Sequence, residues 1–533
     1  MTDSATTDVD ELKPQPGDIT TLAEICSHWA RKTPDRPALT AGDRTWTYGE
    51  IDDESQRVAQ GLLALGVQPG SRVAFLDKNT PEYFMHLFGG AKINAVSVAV
   101  NWRLAPPEME YIIDDAEAEV LFIGAEFLGH LAKMDLPQVR KVLVIGDPGD
   151  SGHDRYDDWA AGFEAIEPDV EIAGSDTCYQ LYTSGTTGLP KGVELTNDNF
   201  LGAMDTGRTA WQFDSSAVNL VAMPLFHIAG SGWALAGMAN GAHNIMTKEV
   251  NPMEIIELIP QHGITHALLV PAVLQFVLAV PGSSDADFST MKLVVYGASP
   301  ITEAVLVGSM ALFGCDFAQV YGLTETTGAV VQLDPADHDP GGERAHLLRA
   351  AGNRWGDAEI RIVDPESDDD LPDGEVGEVW VRSFQVMKGY WKNPEATAEA
   401  IVDGWFRTGD AGYQRDGYLF IHDRVKDMIV SGGENIYPAE IENALMKHDG
   451  VADVAVIGVP SDQWGETVKA MVVRAEPDLT EESLLAYARE QLAGYKIPRS
   501  VDWLDALPRN PSGKVLKTEL RKPYWEGQER QVN

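Results

Sequence analysis

The sequence predicts an α/β protein with a large N-terminal domain built of α/β subdomains, a small β-barrel-like section near the end of that domain, and a small α+β domain at the C-terminus. Three observations predict it. Short β-rich apolar runs alternate with helical stretches from Ser71 onward, shorter β-rich pieces follow Pro365, and a compact mixture of strands and a helix follows Lys426. We therefore expect a first domain over 1–425 and a second over 426–533.

The first domain is predicted from βαβ units taken in order along the chain. Strand-like runs at 73–76 and 95–100 flank a helical stretch at 81–92, and a helix at 106–115 leads to a strand at 119–123. Connections of this kind place the strands in a parallel sheet. Similar strand-like runs recur at 217–223, 267–270 and 292–296.

The later elements are shorter. The runs 376–381 and 418–421 predict a mostly antiparallel, barrel-like section. The C-terminal domain is predicted to contain strands at 451–458 and 470–474 and a helix at 481–492, which together make an α+β module.

Length and composition limit the class of protein. With 533 residues, against ~150 in a usual domain, the chain is too long for a single small module. Apolar residues make up 44% and charged residues 23% of it, which argues for a large core and against disorder. The 82 acidic and 41 basic side chains give a net charge of −41, which repels nucleic acid phosphates and anionic lipids. Nucleic acid is therefore not expected as a partner.

Cysteines and apolar segments indicate the compartment. Cys26, Cys178 and Cys315 are few, odd in number and far apart, which is typical of a reducing compartment. Residues 1–18 are polar and acidic, unlike a secretory signal. The most apolar run, 267–280, is shorter than the ~20 residues that cross a bilayer. We expect a cytoplasmic protein without a transmembrane segment.

The most specific chemical signal is the stretch 182–192, Tyr-Thr-Ser-Gly-Thr-Thr-Gly-Leu-Pro-Lys-Gly. Its glycines let backbone N–H groups converge on an anion, its hydroxyls add donors, and Lys191 adds positive charge. The order of residues differs from that of a Walker A loop. A surface turn is the alternative, and the length and order of the stretch favour a phosphate-binding loop.

This loop and further motifs resemble those of the adenylate-forming superfamily, and within it of the acyl- and aryl-CoA ligases. Gly297–Pro300, Tyr321–Glu325, Thr408–Asp410 and Asp423–Asp427 follow in the family's order along almost the whole chain. The resemblance implies that a carboxylic acid is activated with ATP and Mg²⁺ as an acyl-adenylate and transferred to the thiol of coenzyme A, releasing AMP and pyrophosphate. We expect a fatty acid of medium to long chain, with a benzoate- or cinnamate-type aryl acid as the alternative. The resemblance is also compatible with a homodimer.

The same resemblance implies roles for single residues. Tyr321 would stack on adenine, Thr324 would contact phosphate, Glu325 would hold the metal, and Asp410 would accept the ribose hydroxyls. Lys514 would enter the site and stabilise the charge that develops near the α-phosphate. Lys514, Glu325 and Thr324 are therefore the predicted catalytic residues. The predicted nucleotide-binding residues are Thr183, Ser184, Gly185, Thr186, Thr187, Gly188, Lys191, Gly297, Ala298, Ser299, Tyr321, Gly322, Asp410 and Arg424.

The start of the second domain resembles the moving part of the family. Lys426 stands where the family pivots a mobile C-terminal domain between the two half-reactions. Gly432, Gly433 and Glu434 are similar to the loop that lines the coenzyme A tunnel, where glycines allow close approach of a thin ligand.

The segment 224–233 resembles the border of the carboxylate pocket, which implies that His227, Gly230 and Gly322 belong to the acyl pocket. His227 is expected to be an aromatic neighbour of the acyl group and not a base. The small residues of 229–241 either leave volume for an acyl tail or pack a helix tightly.

Two departures affect the expected tail. Some long-chain members gate their tunnel with a tryptophan four residues after the histidine, whereas this chain has Ser231 there and Trp233 two residues later. Many relatives have a proline near the position of Trp355, so an unusual pocket wall is compatible with this sequence.

Other functions remain as alternatives. A peptide-synthetase adenylation domain would need an acidic residue just after 224–227 to hold an amino group, whereas Ile228 and Ala229 are apolar. A luciferase-like oxidase would share the fold, although nothing here specifies oxygen chemistry. A non-catalytic nucleotide- or carboxylate-binding relative is expected to lose Lys514, Glu325 or Asp410. The histidines form no convincing metal site, and His338, among three aspartates, is expected in a solvated loop.

Overall fold

The computed structural model describes residues 18–183, 189–365, 367–424, 427–431, 434–461, 464–509 and 515–526. Its α-helices are α1 (Glu24–Lys32), α2 (Tyr48–Ala64), α3 (Glu82–Lys92), α4 (Pro106–Asp115), α5 (Leu128–Leu131), α6 (Tyr156–Ala160), α7 (Asn197–Ala210), α8 (Ile228–Ala239), α9 (Pro252–His262), α10 (Pro271–Ala279), α11 (Glu303–Phe313), α12 (Pro394–Ala400), α13 (Pro438–Leu445), α14 (Glu481–Gln491) and α15 (Lys517–Trp525).

Its strands are β1 (Pro37–Ala41), β2 (Arg44–Thr47), β3 (Arg72–Leu76), β4 (Val96–Ala99), β5 (Ala118–Gly124), β6 (Lys141–Ile145), β7 (Asp154–Arg155), β8 (Thr177–Thr183), β9 (Lys191–Thr196), β10 (Val218–Val221), β11 (His243–Met246), β12 (His266–Leu268), β13 (Leu293–Gly297), β14 (Asp316–Leu323), β15 (Gly328–Leu333), β16 (Asn353–Arg354), β17 (Glu359–Val363), β18 (Gly377–Arg382), β19 (Gly389–Tyr390), β20 (Ile401–Val402), β21 (Trp405–Arg415), β22 (Tyr418–Arg424), β23 (Ile429–Ser431), β24 (Glu434–Ile436), β25 (Val451–Ser461), β26 (Gly465–Arg474) and β27 (Ser500–Leu504).

The predicted βαβ units are confirmed. The helix predicted over 106–115 is α4, and its first position is Pro106, whose fixed φ suits the first turn of a helix. The carboxylate of Glu108 accepts the N–H of Ala105 at 2.8 Å, which satisfies a donor left free at the helix start. The strand predicted over 119–123 lies within β5, and every residue of β3 is buried. Burial on both faces explains why these strands read as continuous apolar runs.

The chain divides into two compact units. The first comprises the chain up to Leu348 together with 354–358 and 382–401, and the second comprises 349–353, 359–381 and the chain from Val402 on. The predicted fold class, a large α/β part followed by a smaller mixed part, is confirmed.

Two large sheets form the first unit. One has the strand order β16-β15-β14-β13-β12-β10-β11-β1-β2, and its strands from β1 through β14 in that order are parallel neighbours. The other has the order β19-β9-β8-β4-β3-β5-β6-β7, with β9 antiparallel to both β8 and β19. Helices such as α8, α10 and α11 pack on the first sheet and bury a core that includes Trp233, Leu274 and Leu306.

The second unit contains two small sheets. The first, β17-β18-β21-β20 with β22 paired to β21, has antiparallel β18–β21 and β21–β22 pairs and is the predicted barrel-like section. The second, β24-β23-β26-β25 with β27 parallel to β26, packs against α13 and α14 and buries Ile436, Ile441 and Leu484. It is the predicted α+β module.

The expectation of a solvated loop around His338 is wrong. His338 is buried, its Nε2 lies 3.0 Å from the hydroxyl of Tyr296, and its Nδ1 lies 2.9 Å from the carbonyl oxygen of Asp334. The tyrosine hydroxyl partner comes from β13, 42 residues away in the chain, so local composition could not indicate it.

Within the described residues, every helix is too short or too polar to cross a lipid bilayer.

Candidate active site

The predicted phosphate loop connects the two strands of an antiparallel hairpin. Thr183 ends β8 and pairs in register with Lys191, which begins β9. Ser184, Gly185, Thr186, Thr187 and Gly188 lie outside the described residues. The hairpin therefore places the predicted phosphate lysine at the exit of the loop, across from the threonine at its entrance.

Glu325 lies in a short 3₁₀ turn that follows β14 and begins at Thr324. The turn is closed by Thr326, whose Oγ1 accepts the N–H of Leu323 at 2.8 Å and donates to the carbonyl oxygen of Gly328 at 2.7 Å. Glu325 is only 9% exposed. Its carboxylate thus has a fixed position at the carboxyl end of a sheet strand, which is where α/β proteins bind ligands.

The segment 385–390, which sequence reasoning did not single out, holds this turn. The N–H of Met387 donates to the carbonyl oxygen of Glu325 at 2.8 Å, and the hydroxyl of Tyr390 donates to Oε1 of Glu325 at 3.1 Å. The amide of Gln385 donates to the carbonyl oxygen of Ala329 at 2.9 Å. These contacts lie about sixty residues apart in the chain, and no local pattern indicates them.

The predicted adenine-side residues lie next to each other on parallel strands. Gly297 ends β13 and pairs with Val320 of β14, immediately before Tyr321 and Gly322. A Cβ on Gly297 would overlap the carbonyl oxygen of Val320, and one on Gly322 would overlap that of Gly328. Both glycines are therefore required for close packing of the backbone.

Ala298 is strained. Its φ of 65° lies in the left-handed region, which costs an L-residue with a side chain about 1 kcal/mol. The half-buried Ser299 follows it. Strain held beside a cavity is typical of a ligand-binding turn.

One apolar cavity of the first unit includes these backbones. It encloses about 100 Å³ and is lined by Phe200, Ala203, Met204, Trp211, Ile228, Ala229, Gly232, Trp233, Ala236, Leu268, Gly297, Ala298, Val320, Gly322, Thr327, Gly328, Ala329 and Trp355. The hydroxyl of Thr327 is already used, because it donates to the carbonyl oxygen of Gln385 at 2.7 Å. The cavity therefore presents apolar side chains and backbone to a ligand.

Three tryptophans form one wall of this cavity. The ring centroid of Trp211 lies 5.1 Å from that of Trp233 and 4.9 Å from that of Trp355. The indole N–H of Trp211 donates to Oε1 of Gln332 at 2.9 Å, and that of Trp233 donates to the carbonyl oxygen of Leu220 at 3.1 Å. Because the N–H groups of Trp211 and Trp233 are satisfied, these two indoles are held in place and present hydrocarbon to the cavity.

The predicted acyl-pocket residues occupy different places. Gly322 lines the cavity. Gly230 instead allows α8 to approach the loop before it, since a Cβ there would overlap the carbonyl oxygen of Pro224. His227 immediately precedes α8, and its ring centroid lies 4.5 Å from that of Phe226.

His227 is an uncharged side chain. Burial, reinforced by the charge of Arg103, lowers the pKa of His227 to about 4. Its Nε2 is buried and has no hydrogen-bond partner within the described part of the chain. At neutral pH the imidazole is thus uncharged, and it lacks the basicity of a general base.

Asp410 lies on β21 of the second unit and is buried. Its N–H donates to Oγ1 of Thr408 at 3.0 Å, and the N–H of Gly409 donates to Oε1 of Glu378 at 3.1 Å. Glu378 also accepts a hydrogen bond from Arg407 at 3.0 Å. Glu378, 31 residues before Gly409, is a second supporting residue that sequence reasoning missed.

The remaining predicted residues are not described. Lys426, Gly432, Gly433 and Lys514 lie outside the described residues, as do the side chains of Arg424 and Glu434, whose backbones belong to β22 and β24. Their roles stay predictions.

Comparisons with known proteins match almost the whole chain. The AMP-binding enzyme family matches residues 26–391, and the AMP-binding enzyme C-terminal domain matches residues 440–514. The chain is 41% identical, over 522 residues, to the fatty acid–[acyl-carrier-protein] ligase ScoC of Streptomyces coeruleorubidus, covering 97% of this chain and 98% of ScoC. It is 38% identical, over 501 residues, to a feruloyl-CoA synthase of an Amycolatopsis species, covering 93% and 97% of the two chains. The crystal structure of the anthranilate CoA ligase AuaEII with anthranoyl-AMP is similar with a TM-score of 0.86 and 26% identity, covering 97% of this chain and 99% of that one.

The hairpin that carries the predicted phosphate loop, the buried carboxylate of Glu325 and the apolar cavity are consistent with these matches, which define the class. The chain belongs to the adenylate-forming, AMP-binding enzyme superfamily, as its motifs predicted. Within that superfamily it is an AMP-forming acid–thiol ligase of the acyl- and aryl-CoA ligase family.

Proposed function

We propose that this enzyme activates a carboxylic acid with an apolar tail as its acyl-adenylate and transfers the acyl group to the thiol of coenzyme A. The observation that carries the proposal is the cavity, which joins the backbones of Gly297, Ala298 and Gly322 to an apolar pocket. An acyl-adenylate contains a nucleotide and an acyl tail in one molecule. An apolar pocket that begins at these backbones is suited to receive the acyl tail at the point where it joins the nucleotide.

The first step needs positioning and charge neutralisation more than a protein nucleophile. A carboxylate oxygen of the substrate forms a bond to the α-phosphorus of ATP, and the bond from that phosphorus to pyrophosphate breaks. Lys191 at the exit of the phosphate loop would bind phosphate oxygens, and Lys514 would stabilise the charge that develops at the α-phosphate. The thiol of coenzyme A then attacks the acyl carbon, and AMP leaves.

Magnesium fits the donor that the first unit offers. Glu325 supplies a buried carboxylate, and Mg²⁺ is commonly held by one or two carboxylates together with substrate phosphates. Among the described residues no group of three metal-binding side chains occurs, so Glu325 and the triphosphate would hold the ion together. When bound, it would neutralise phosphate charge.

The two steps need different surroundings, because a lysine in the site would obstruct the thiol. We propose that the C-terminal domain over 426–533 rotates about Lys426 between them. Gly432, Gly433 and Glu434 would then line the coenzyme A tunnel.

For the acid, we propose a fatty acid whose tail ends against the tryptophan wall. The hydroxyl of Thr327 and the indole N–H groups of Trp211 and Trp233 already have hydrogen-bond partners, so these groups do not serve a polar substituent on the tail. The cavity is small, about 100 Å³, which favours medium chains over long ones. The similarity to ScoC, a fatty acid ligase, supports the aliphatic class.

An aryl acid is the second candidate, and the aromatic wall favours it. Aromatic rings gain about 0.5–1.5 kcal/mol from edge or stacked contacts beyond their burial. The similar feruloyl-CoA synthase and anthranilate CoA ligase act on aryl acids. An unsubstituted benzoate or cinnamate would suit the apolar lining better than a hydroxylated one.

The test is pyrophosphate release from the full-length enzyme with ATP, Mg²⁺ and a panel of saturated acids, benzoates and cinnamates, each with and without coenzyme A. We expect a medium-chain fatty acid to give the highest kcat/KM and to form the thioester. A benzoate or cinnamate as best substrate would establish the second candidate. If none of the acids in the panel causes release of pyrophosphate, the proposal is overturned in favour of a non-catalytic binder.

A carrier-protein thiol in place of coenzyme A is tested in the same assay. ScoC uses an acyl carrier protein, so a phosphopantetheine-loaded carrier protein replaces coenzyme A in a parallel reaction. Thioester formation on the carrier alone would contradict coenzyme A as acceptor and leave the adenylation step intact.

A further inference from the structure

We propose that Tyr390 is a positioning residue that holds both groups predicted to bind the ATP triphosphate, namely Glu325 and Lys191. Its hydroxyl donates to Oε1 of Glu325 at 3.1 Å, and the ammonium of Lys191 lies 4.8 Å from the centroid of its ring. The inference rests on the proposed function, because it assumes that these two side chains bind ATP and its metal.

Tyr390 is itself held rigidly. It lies on β19, where it pairs with Val193 of β9 two residues beyond Lys191. Its N–H donates to the hydroxyl of Thr397 at 2.9 Å, and the next N–H, of Trp391, donates to the carbonyl oxygen of Gly192 at 2.7 Å. The strand pairing therefore fixes the ring relative to the phosphate-loop hairpin.

The hydroxyl acts on the carboxylate. By bonding Oε1 of Glu325 it fixes the plane of the carboxylate, so that Oε2 has one orientation instead of several. A metal-ligating side chain that is already oriented binds the ion more tightly, because it loses less conformational freedom on binding. Tyr390 would thus strengthen metal binding without contacting the metal. Hydrogen-bond partners of metal-ligating side chains commonly orient those side chains in this way.

The ring acts on the lysine. An ammonium over the face of a tyrosine gains about 0.5–1 kcal/mol at a partly exposed site. Long lysine side chains have many rotamers, so this contact keeps the Lys191 ammonium near the hairpin exit before ATP arrives. The hydroxyl and the ring of one residue therefore serve two different groups, which makes their effects separable by mutation.

The experiment measures equilibrium binding of ATP to the full-length enzyme without any carboxylic acid, once with EDTA and once with saturating Mg²⁺. Tyr390→Phe keeps the ring and removes the hydroxyl. We expect its metal-free affinity for ATP to stay within about twofold of wild type, and the gain in affinity on adding Mg²⁺ to fall about tenfold, since hydrogen bonds to charged groups are strong. Tyr390→Leu should lose that gain and also bind metal-free ATP about threefold more weakly.

The control is Tyr48→Phe. Tyr48 also uses a buried hydroxyl, donating to the carbonyl oxygen of Ala242 at 2.8 Å, so its loss should lower thermal stability and leave both affinities unchanged. A second check is Tyr390→Phe combined with Glu325→Gln, which should show no further loss of the Mg²⁺ gain beyond Glu325→Gln alone.

A normal Mg²⁺ gain in Tyr390→Phe would overturn the inference, as would equal weakening of metal-free binding in the phenylalanine and leucine variants. Failure of the proposed function is read separately, from the pyrophosphate-release assay: wild-type enzyme would then activate no acid, whatever affinities for ATP the Tyr390 variants show.

Discussion

Truncation of Trp355 should lengthen the acids that the enzyme accepts. Trp355 is 8% exposed and lies 4.9 Å, centroid to centroid, from Trp211 in the cavity wall. Trp355→Ala removes the indole from a wall that also contains Trp233 and extends the cavity behind it. Longer tails can then enter space that wild type fills.

The size of the effect follows from methylene burial. Each buried methylene contributes about 0.8 kcal/mol, which is about fourfold in kcat/KM. We expect saturated acids just longer than the wild-type optimum to gain up to about fourfold per added methylene in the variant. Short acids should lose activity, because the enlarged pocket contacts them less.

The assay is kcat/KM for pyrophosphate release over a series of saturated acids from butyric to palmitic acid. Trp46→Ala is the matched control, since Trp46 is also 8% exposed and lies on β2 outside the cavity. Trp-to-Ala changes cost about 3–5 kcal/mol of stability, so Trp355→Leu provides a milder second variant. An unchanged chain-length optimum in both Trp355 variants, or the same shift in Trp46→Ala, would refute the tryptophan wall as the length limit.

Three further outcomes are expected. Lys514→Ala should largely abolish adenylate formation and spare thioester formation from supplied acyl-adenylate, and equal loss of both steps would contradict its assignment to the first. Lys426→Pro should slow thioester formation more than adenylation, and normal rates for both steps would refute the pivot. Burial raises the pKa of Asp77 from 3.8 to about 7, so the folded state keeps a proton between about pH 4 and 7 that the unfolded chain releases, and stability falls as pH rises through that window. Asp77→Asn, which keeps an acceptor for the N–H of Lys78, should raise the urea midpoint at about pH 8 relative to wild type and change it little near pH 4; parallel pH profiles for the two proteins would disprove this.

The sequence predicted those parts of the fold whose signals are local. Parallel strands buried on both faces, such as β3 and β5, read as apolar runs between helices, and Pro106 marks the first turn of α4. The prediction for His338 is wrong because the aspartates near it are typical of a solvated loop, whereas its hydroxyl partner, Tyr296, comes from a strand distant in the chain.

The same distinction applies to the candidate site. The predicted phosphate loop and the motif around Glu325 stand out in the sequence because their glycines, hydroxyls and charges are consecutive in the chain. Tyr390 and Glu378 do not, because each supports a motif that lies 65 or 31 residues away. The residues next to a tyrosine or a strand glutamate in the sequence do not indicate its hydrogen-bond partner, so only the folded structure identifies these two supporting residues.

The small residues of 229–241 serve both of the purposes that the sequence left open. Ala229, Gly232, Trp233 and Ala236 line the cavity and are spaced three and four residues apart, so they share one face of α8. Gly237, one turn beyond Trp233, packs against the sheet instead, because a Cβ there would come within 2.8 Å of the side-chain amides of Asn219 and Asn244. The segment therefore both leaves volume for a tail and packs tightly, at different positions of one helix. A substitution at Gly232, where a Cβ would meet only Ile228 at 3.5 Å, changes the cavity alone, whereas one at Gly237 disturbs the sheet behind it.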